Sequence, residues 1–116
     1  MTRLAKVMSV LTVGFFLAAG ASAGAAETQW QKNHPRRTQV NWRLKRQNRR
    51  INQGVKNGTL SQQQAQQLHR EDHQIRHEER DMASQNGGHI TKQEQRTLNQ
   101  QENATSHQIY NEKHPN

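Results

Sequence analysis

Gly58-Thr59-Leu60-Ser61-Gln62-Gln63-Gln64 and Gly88-His89-Ile90-Thr91-Lys92-Gln93-Glu94 superimpose at an offset of 30 residues. Each stretch places a glycine, then an apolar branched residue, a hydroxyl residue and a side-chain acceptor three positions later. Ser61 with Gln64, and Thr91 with Glu94, read as capping boxes: the hydroxyl accepts from an orphan N–H of the first turn, and the residue three on reaches back. Leu60 and Ile90 stand where a hydrophobic staple fixes the direction from which the chain arrives. Asn57-Gly58 and Asn86-Gly87-Gly88 supply residues that tolerate positive φ after the preceding helix. Two helix starts of one design predict two related helix-loop-helix units that share a central helix. The repeat continues to Leu68 and Leu98, and upstream it aligns Arg46 and Arg50 with Arg76 and Arg80.

Three helices follow. The first is expected from about Thr38, after His34-Pro35, to Gln53, with Val40, Leu44 and Ile51 at heptad-like spacing and Val55 just beyond. The second runs from Gln62 to about Gln85 and carries Leu68, Ile75 and Met82 seven residues apart. The third runs from Lys92 to about Asn111, with Leu98, Thr105 and Ile109 on one side. Each apolar stripe is narrow, which suits a slender all-α three-helix hairpin or bundle, alone or as a dimerising unit. The expected order is a signal peptide at 1–23, a flexible basic arm at 24–37, a helical domain at 38–112 and a loose tail at 113–116.

The signal peptide reads from Arg3 and Lys6, the apolar run Val7 to Ala19, and the small-x-small site Ala21-Ser22-Ala23, with cleavage able to fall as late as residue 26. The apolar run is too short to span a bilayer and no second one follows, so an exported protein that is not integral to the membrane is expected. The chain contains no Cys, which excludes disulfides, thiol chemistry and cysteine-ligated metals. Charge is uneven. No acid lies between Thr28 and Arg70, whereas from Asn57 onward there are eight Asp/Glu and six Lys/Arg. The formal net charge of +8 therefore belongs to the N-terminal half, which points to anionic envelope surfaces or acidic protein partners.

Arg50-Ile51-x-x-Gly54-Val55-x-x-Gly58-x-Leu60-Ser61, with Asn86-Gly87-Gly88-x-Ile90-Thr91-x-x-Glu94 and the terminal Ile109-Tyr110-x-x-Lys113-His114, resembles a set of small exported bacterial proteins without an assigned function. The resemblance implies a helical architecture and export, and no activity. The loop–helix junctions are also similar to EF-hands, with Gly88, Ile90, Thr91 and Glu94 at loop positions six, eight, nine and twelve. Positions one, three and five are Ala83, Gln85 and Gly87 in one loop and Gln53, Val55 and Asn57 in the other. The carboxylate cage is missing, so calcium binding is not expected. Leu60-Ser61-Gln62-Gln63-Gln64 and Ile90-Thr91-Lys92-Gln93-Glu94 further resemble the LTxxQ motif of periplasmic stress chaperones and their metal-responsive relatives.

Two sets of residues carry candidate chemistry. Trp42, Arg43, Arg46, Arg49 and Arg50 on the basic first helix are the expected contact with anionic or unfolded partners, chaperone- or adaptor-like. The same mix of aromatic and basic residues also suits nucleic acid, a partner that an exported address disfavours. His69, His73 and His77 lie four residues apart on the second helix. Adjacent pairs can chelate zinc, copper or nickel, although His69 and His77 are about 12 Å apart along the axis. With Leu68 at zero the histidines fall at about 100° to 180°, away from the core stripe. No resident cofactor is expected; a transition metal on the histidines is the alternative to partner binding. His77-Glu78-Glu79-Arg80-Asp81 lacks the second histidine of a zinc-protease helix, and no nucleophile elbow or phosphate-binding glycine loop is present. The expectation is a binding protein, not an enzyme.

Overall fold

The computed structural model describes residues 26–115, and the expected signal peptide lies outside them. The described residues form four helices: α1 (Gln29–Asn33), α2 (Pro35–Lys56), α3 (Gln62–Ser84) and α4 (Lys92–Lys113). None is long and apolar enough to cross a membrane. α2, α3 and α4 each contact the other two, giving a closed three-helix bundle. The all-α class and the bundle stand as the repeat predicts.

Both capping boxes form. Ser61 Oγ accepts from Gln64 N at 3.0 Å while Gln64 Oε1 accepts from Ser61 N at 2.8 Å. Thr91 Oγ1 accepts from Glu94 N at 3.1 Å while Glu94 Oε1 accepts from Thr91 N at 2.9 Å. The staple residues Leu60 and Ile90 are both buried. The chain leaves the preceding helices through the left-handed region, with φ of 83° at Gly58, 63° at Gly87 and 94° at Gly88, a conformation that glycine adopts without a Cβ clash.

Two boundaries differ from expectation. α2 begins at Pro35 rather than Thr38, because proline at the first helical position gives up only an N–H that has no partner there anyway. Arg36 and Arg37 therefore belong to the helix, not to a loose arm. Within the expected arm, α1 is closed by reciprocal bonds between Thr28 and Gln31: Thr28 N to Gln31 Oε1 at 2.8 Å, and Gln31 N to Thr28 Oγ1 at 3.1 Å. At the other end α4 reaches Lys113, whose Nζ donates to Arg50 O at 3.2 Å and so ties the expected tail residue to α2.

The core positions follow the 4-3 spacing of a coiled-coil seam. They are Val40, Leu44, Gln47, Ile51 and Gly54 on α2, then Ala65, Leu68, Asp72, Ile75, Glu79 and Ala83 on α3, then Leu98, Glu102, Thr105 and Ile109 on α4. The apolar members fall into two clusters. Val40, Leu44, Ile75, Ala83, Ile90 and Leu98 form one, with Met82 against it. Ile51, Leu60, Ala65, Leu68 and Ile109 form the other, with Val55 against it. Between the two, each helix places polar residues in the core: Gln47, Asp72, and Glu102 with Thr105.

Gly54 is where the first loop closes on α2. A Cβ built there would lie 2.6 Å from Leu60 Cδ1 and 2.7 Å from its Cγ, and Leu60 is itself fixed in the cluster with Ile51, Ala65, Leu68 and Ile109 and bonded through its N–H to Gly54 O at 2.9 Å. In an open helix Gly→Ala stabilises by up to ~1 kcal/mol. Here overpacking dominates, and Gly54→Ala is expected to destabilise by about 1–3 kcal/mol, read from urea denaturation. Thr91→Ala removes a cap and is expected to cost ~1 kcal/mol in the same experiment.

Candidate functional site

α2 contains no acidic residue, and four of its arginines bond to other parts of the bundle. Arg36 Nη1 donates to Ile90 O at 3.2 Å. Arg37 pairs with the buried Glu79 and donates to Gly88 O at 3.0 Å. Arg43 donates to Asn103 Oδ1 at 2.6 Å, and its Nε lies 3.7 Å from Glu102 Oε1. Arg50 donates to Ser106 Oγ at 2.8 Å. Of the five residues expected to meet a partner, Arg43 and Arg50 thus tie α2 to α4. Trp42, Arg46 and Arg49 remain on the outside, with Trp42 half exposed and the Arg46 guanidinium 4.8 Å from the centre of its ring.

The polar layer of the core holds two buried carboxyl groups. Neither oxygen of Asp72 receives a hydrogen bond among the described residues, nor does either oxygen of Glu102 or Oε1 of Gln47. Gln47 Nε2 donates to Glu102 O at 2.6 Å, which pins α2 to α4 at this level. Burial pushes the Asp72 carboxyl up to about 7; Glu71 adds to the shift and Arg76 opposes it. Burial pushes Glu102 up to about 8, where Arg43 opposes the shift and Asp72 and Glu79 add to it. The core therefore favours the protonated, uncharged carboxyl. The sequence reading missed this pair, but the repeat contains it. The offset that aligns Leu68 with Leu98 also aligns Asp72 with Glu102.

Beside Asp72, a groove of about 270 Å³ opens between α2 and α3, lined by Leu44, Asn48, His69, Asp72, His73 and Arg76. It brings together two of the three candidate metal ligands. His69 is half buried, with Nδ1 2.8 Å from Asn48 Oδ1 and Nε2 3.0 Å from Asn52 Oδ1, so both ring nitrogens already face α2. His73 is exposed, and His77 lies further along α3 among Arg70, Arg76 and Arg80. Among the described residues no three His, Asp or Glu side chains come together as a metal ion requires.

Compared with protein-family models, curated proteins and solved structures, the chain matches none.

Stability is expected to fall as pH rises from about 5 to about 8 through these two groups. The folded chain keeps the Asp72 and Glu102 protons up to about 7 and about 8, whereas the unfolded chain releases them near 4. In between the folded state holds more protons, so raising the pH favours unfolding. Asp72→Asn and Glu102→Gln keep the shape and remove the titration. Each is expected to flatten this slope and to raise the melting temperature at pH 8 by several degrees, ~1 kcal/mol corresponding to about 4–8 °C in a domain of this size. Thermal melts at pH 5, 6.5 and 8 check the sign.

Proposed function

We propose that this is a small exported binding protein, not a catalyst, and that the outward face of α2 holds it against an anionic surface of the cell envelope. The observation that carries the reading is the set Trp42, Lys45, Arg46 and Arg49, exposed together on a helix without an acid. None of these three cations forms an ion pair among the described residues. The arginines that contribute to folding point inward, so the outward ones are left to a partner. Arg46 over Trp42 presents a cation and an amphipathic ring side by side, a combination suited to the phosphate level of a lipid surface. The export signal read at residues 1–23 is what would bring the chain to such a surface.

The transition-metal reading competes for α3. The guanidinium groups of Arg70, Arg76 and Arg80 share a groove with His73 and His77, and like charge disfavours a dication there.

Vesicle titration tests the α2 face. In a Trp30→Phe background, Trp42 emission is expected to shift to the blue on adding phosphatidylglycerol vesicles and to stay unchanged with phosphatidylcholine. With ~1 kcal/mol per cation at the surface, Arg46→Gln/Arg49→Gln is expected to weaken the association by about tenfold or more. Arg43→Gln and Arg50→Gln should instead lower thermal stability. Equal binding by the Arg46/Arg49 variant would sink the proposal.

A further inference from the structure

The charges of α3 are sorted by face. Asp72 and Glu79 are in the core. Glu71 and Glu78 line the groove towards α4 with Gln101, Ala104 and Thr105, and Glu78 Oε1 accepts from Gln101 Nε2 at 2.9 Å. Arg70, His73, Arg76, His77 and Arg80, with Gln74, line a groove of about 440 Å³ that contains no acidic side chain. Asp81 follows Arg80 in the sequence but lies outside this lining. His73 and Arg76 also line the groove beside Asp72, and Arg76 lowers the pKa of that buried carboxyl. Neither Arg76 nor Arg80 forms an ion pair among the described residues, and Arg70 is held by Gln67 Oε1 at 2.9 Å.

Three guanidinium groups sharing one groove repel each other, and an anion relieves that repulsion. From Arg70 to Arg80 the row covers about 15 Å of helix axis. That is longer than one phosphate and fits several in line. Guanidinium groups bind phosphoryl oxygens through paired N–H donors. α3 has no Trp, Tyr or Phe on which a nucleobase can stack, so the groove recognises the phosphates and offers little to bases. We propose that this face of α3 is a binding site for a linear oligophosphate. Arg70, Arg76 and Arg80 take successive phosphoryl groups, and His73 and His77 line the space between them. The site is distinct from the α2 face and does not depend on it.

Calorimetric titration of the purified protein with sodium tripolyphosphate at low salt tests the assignment. Binding is expected in the wild type, weakened at least tenfold in Arg76→Gln/Arg80→Gln and within twofold of wild type in Arg46→Gln/Arg49→Gln. Far-ultraviolet circular dichroism checks that the variants keep their helices; should the double variant lose them, Arg80→Gln alone is expected to weaken binding at least threefold. A single-stranded oligonucleotide of equal charge is expected to bind more weakly than tripolyphosphate. The proposal is overturned by the absence of tripolyphosphate binding, by undiminished binding in the folded α3 variant, or by preference for the oligonucleotide. Loss confined to the α2 variant also overturns it, while leaving the α2 reading intact.

Discussion

Asp72 and Glu102 sit where a three-helix bundle ordinarily places leucine, and much of the structure follows from tolerating them there. A buried carboxylate without donors is costly. Two such groups near each other add mutual repulsion, opposed by Arg43 at Glu102 and by Arg76 at Asp72. Holding the protons is the least expensive solution, and the core divides around that neutral layer into an upper and a lower apolar cluster. Each cluster is small, so the helices depend on bonds at their edges. Arg37 reaches Glu79, Arg43 reaches Asn103, Arg50 reaches Ser106 and Lys113 reaches back to Arg50 O.

This arrangement gives the uneven charge of the sequence a structural meaning. A stretch without acids looks like an interaction surface when it is read alone. In the bundle, α2 supplies cations to its neighbours: Arg37 pairs with Glu79 of α3, and Arg43 donates to Asn103 of α4. Had α2 carried its own acids, i to i+4 pairs along the helix would compete with these contacts between helices. The exposed cations Lys45, Arg46, Arg49 and Lys56 have no ion pair to another helix among the described residues.

The helices and their starts were legible in the sequence because local chemistry determines them. Ser61 with Gln64, and Thr91 with Glu94, cap where they stand regardless of the surrounding fold. The start of α2 was not, since Pro35 reads equally as a helix start or as the end of an arm. The width of the core was misjudged for a different reason. A stripe of one apolar residue per heptad on α3 is the visible half of a full 4-3 seam whose other positions hold Asp72 and Glu79. Hydrophobicity cannot reveal a core position occupied by an acid, although the repeat pairs Asp72 with Glu102 directly. Nor does a sequence show which arginine turns inward: Arg43 and Arg46 differ by one helical turn, yet one spans two helices and the other rests on Trp42.

The histidines illustrate how neighbours change the chemistry of a motif. Four-residue spacing on a helix is sufficient geometry for a metal, and as an isolated peptide α3 offers two such pairs. Folding gives each pair different neighbours. His69 turns towards α2, where Asn48 and Asn52 occupy both ring nitrogens, while His73 and His77 enter a groove formed with three arginines. A dication on His73 and His77 would face three positive charges, and one on His69 and His73 would first have to displace the asparagines. An anion meets neither obstacle, because the same guanidinium groups that repel the metal attract it. Two of the three histidines that resemble a metal site in the sequence, His73 and His77, thus lie in the arginine-lined groove proposed above to bind an oligophosphate.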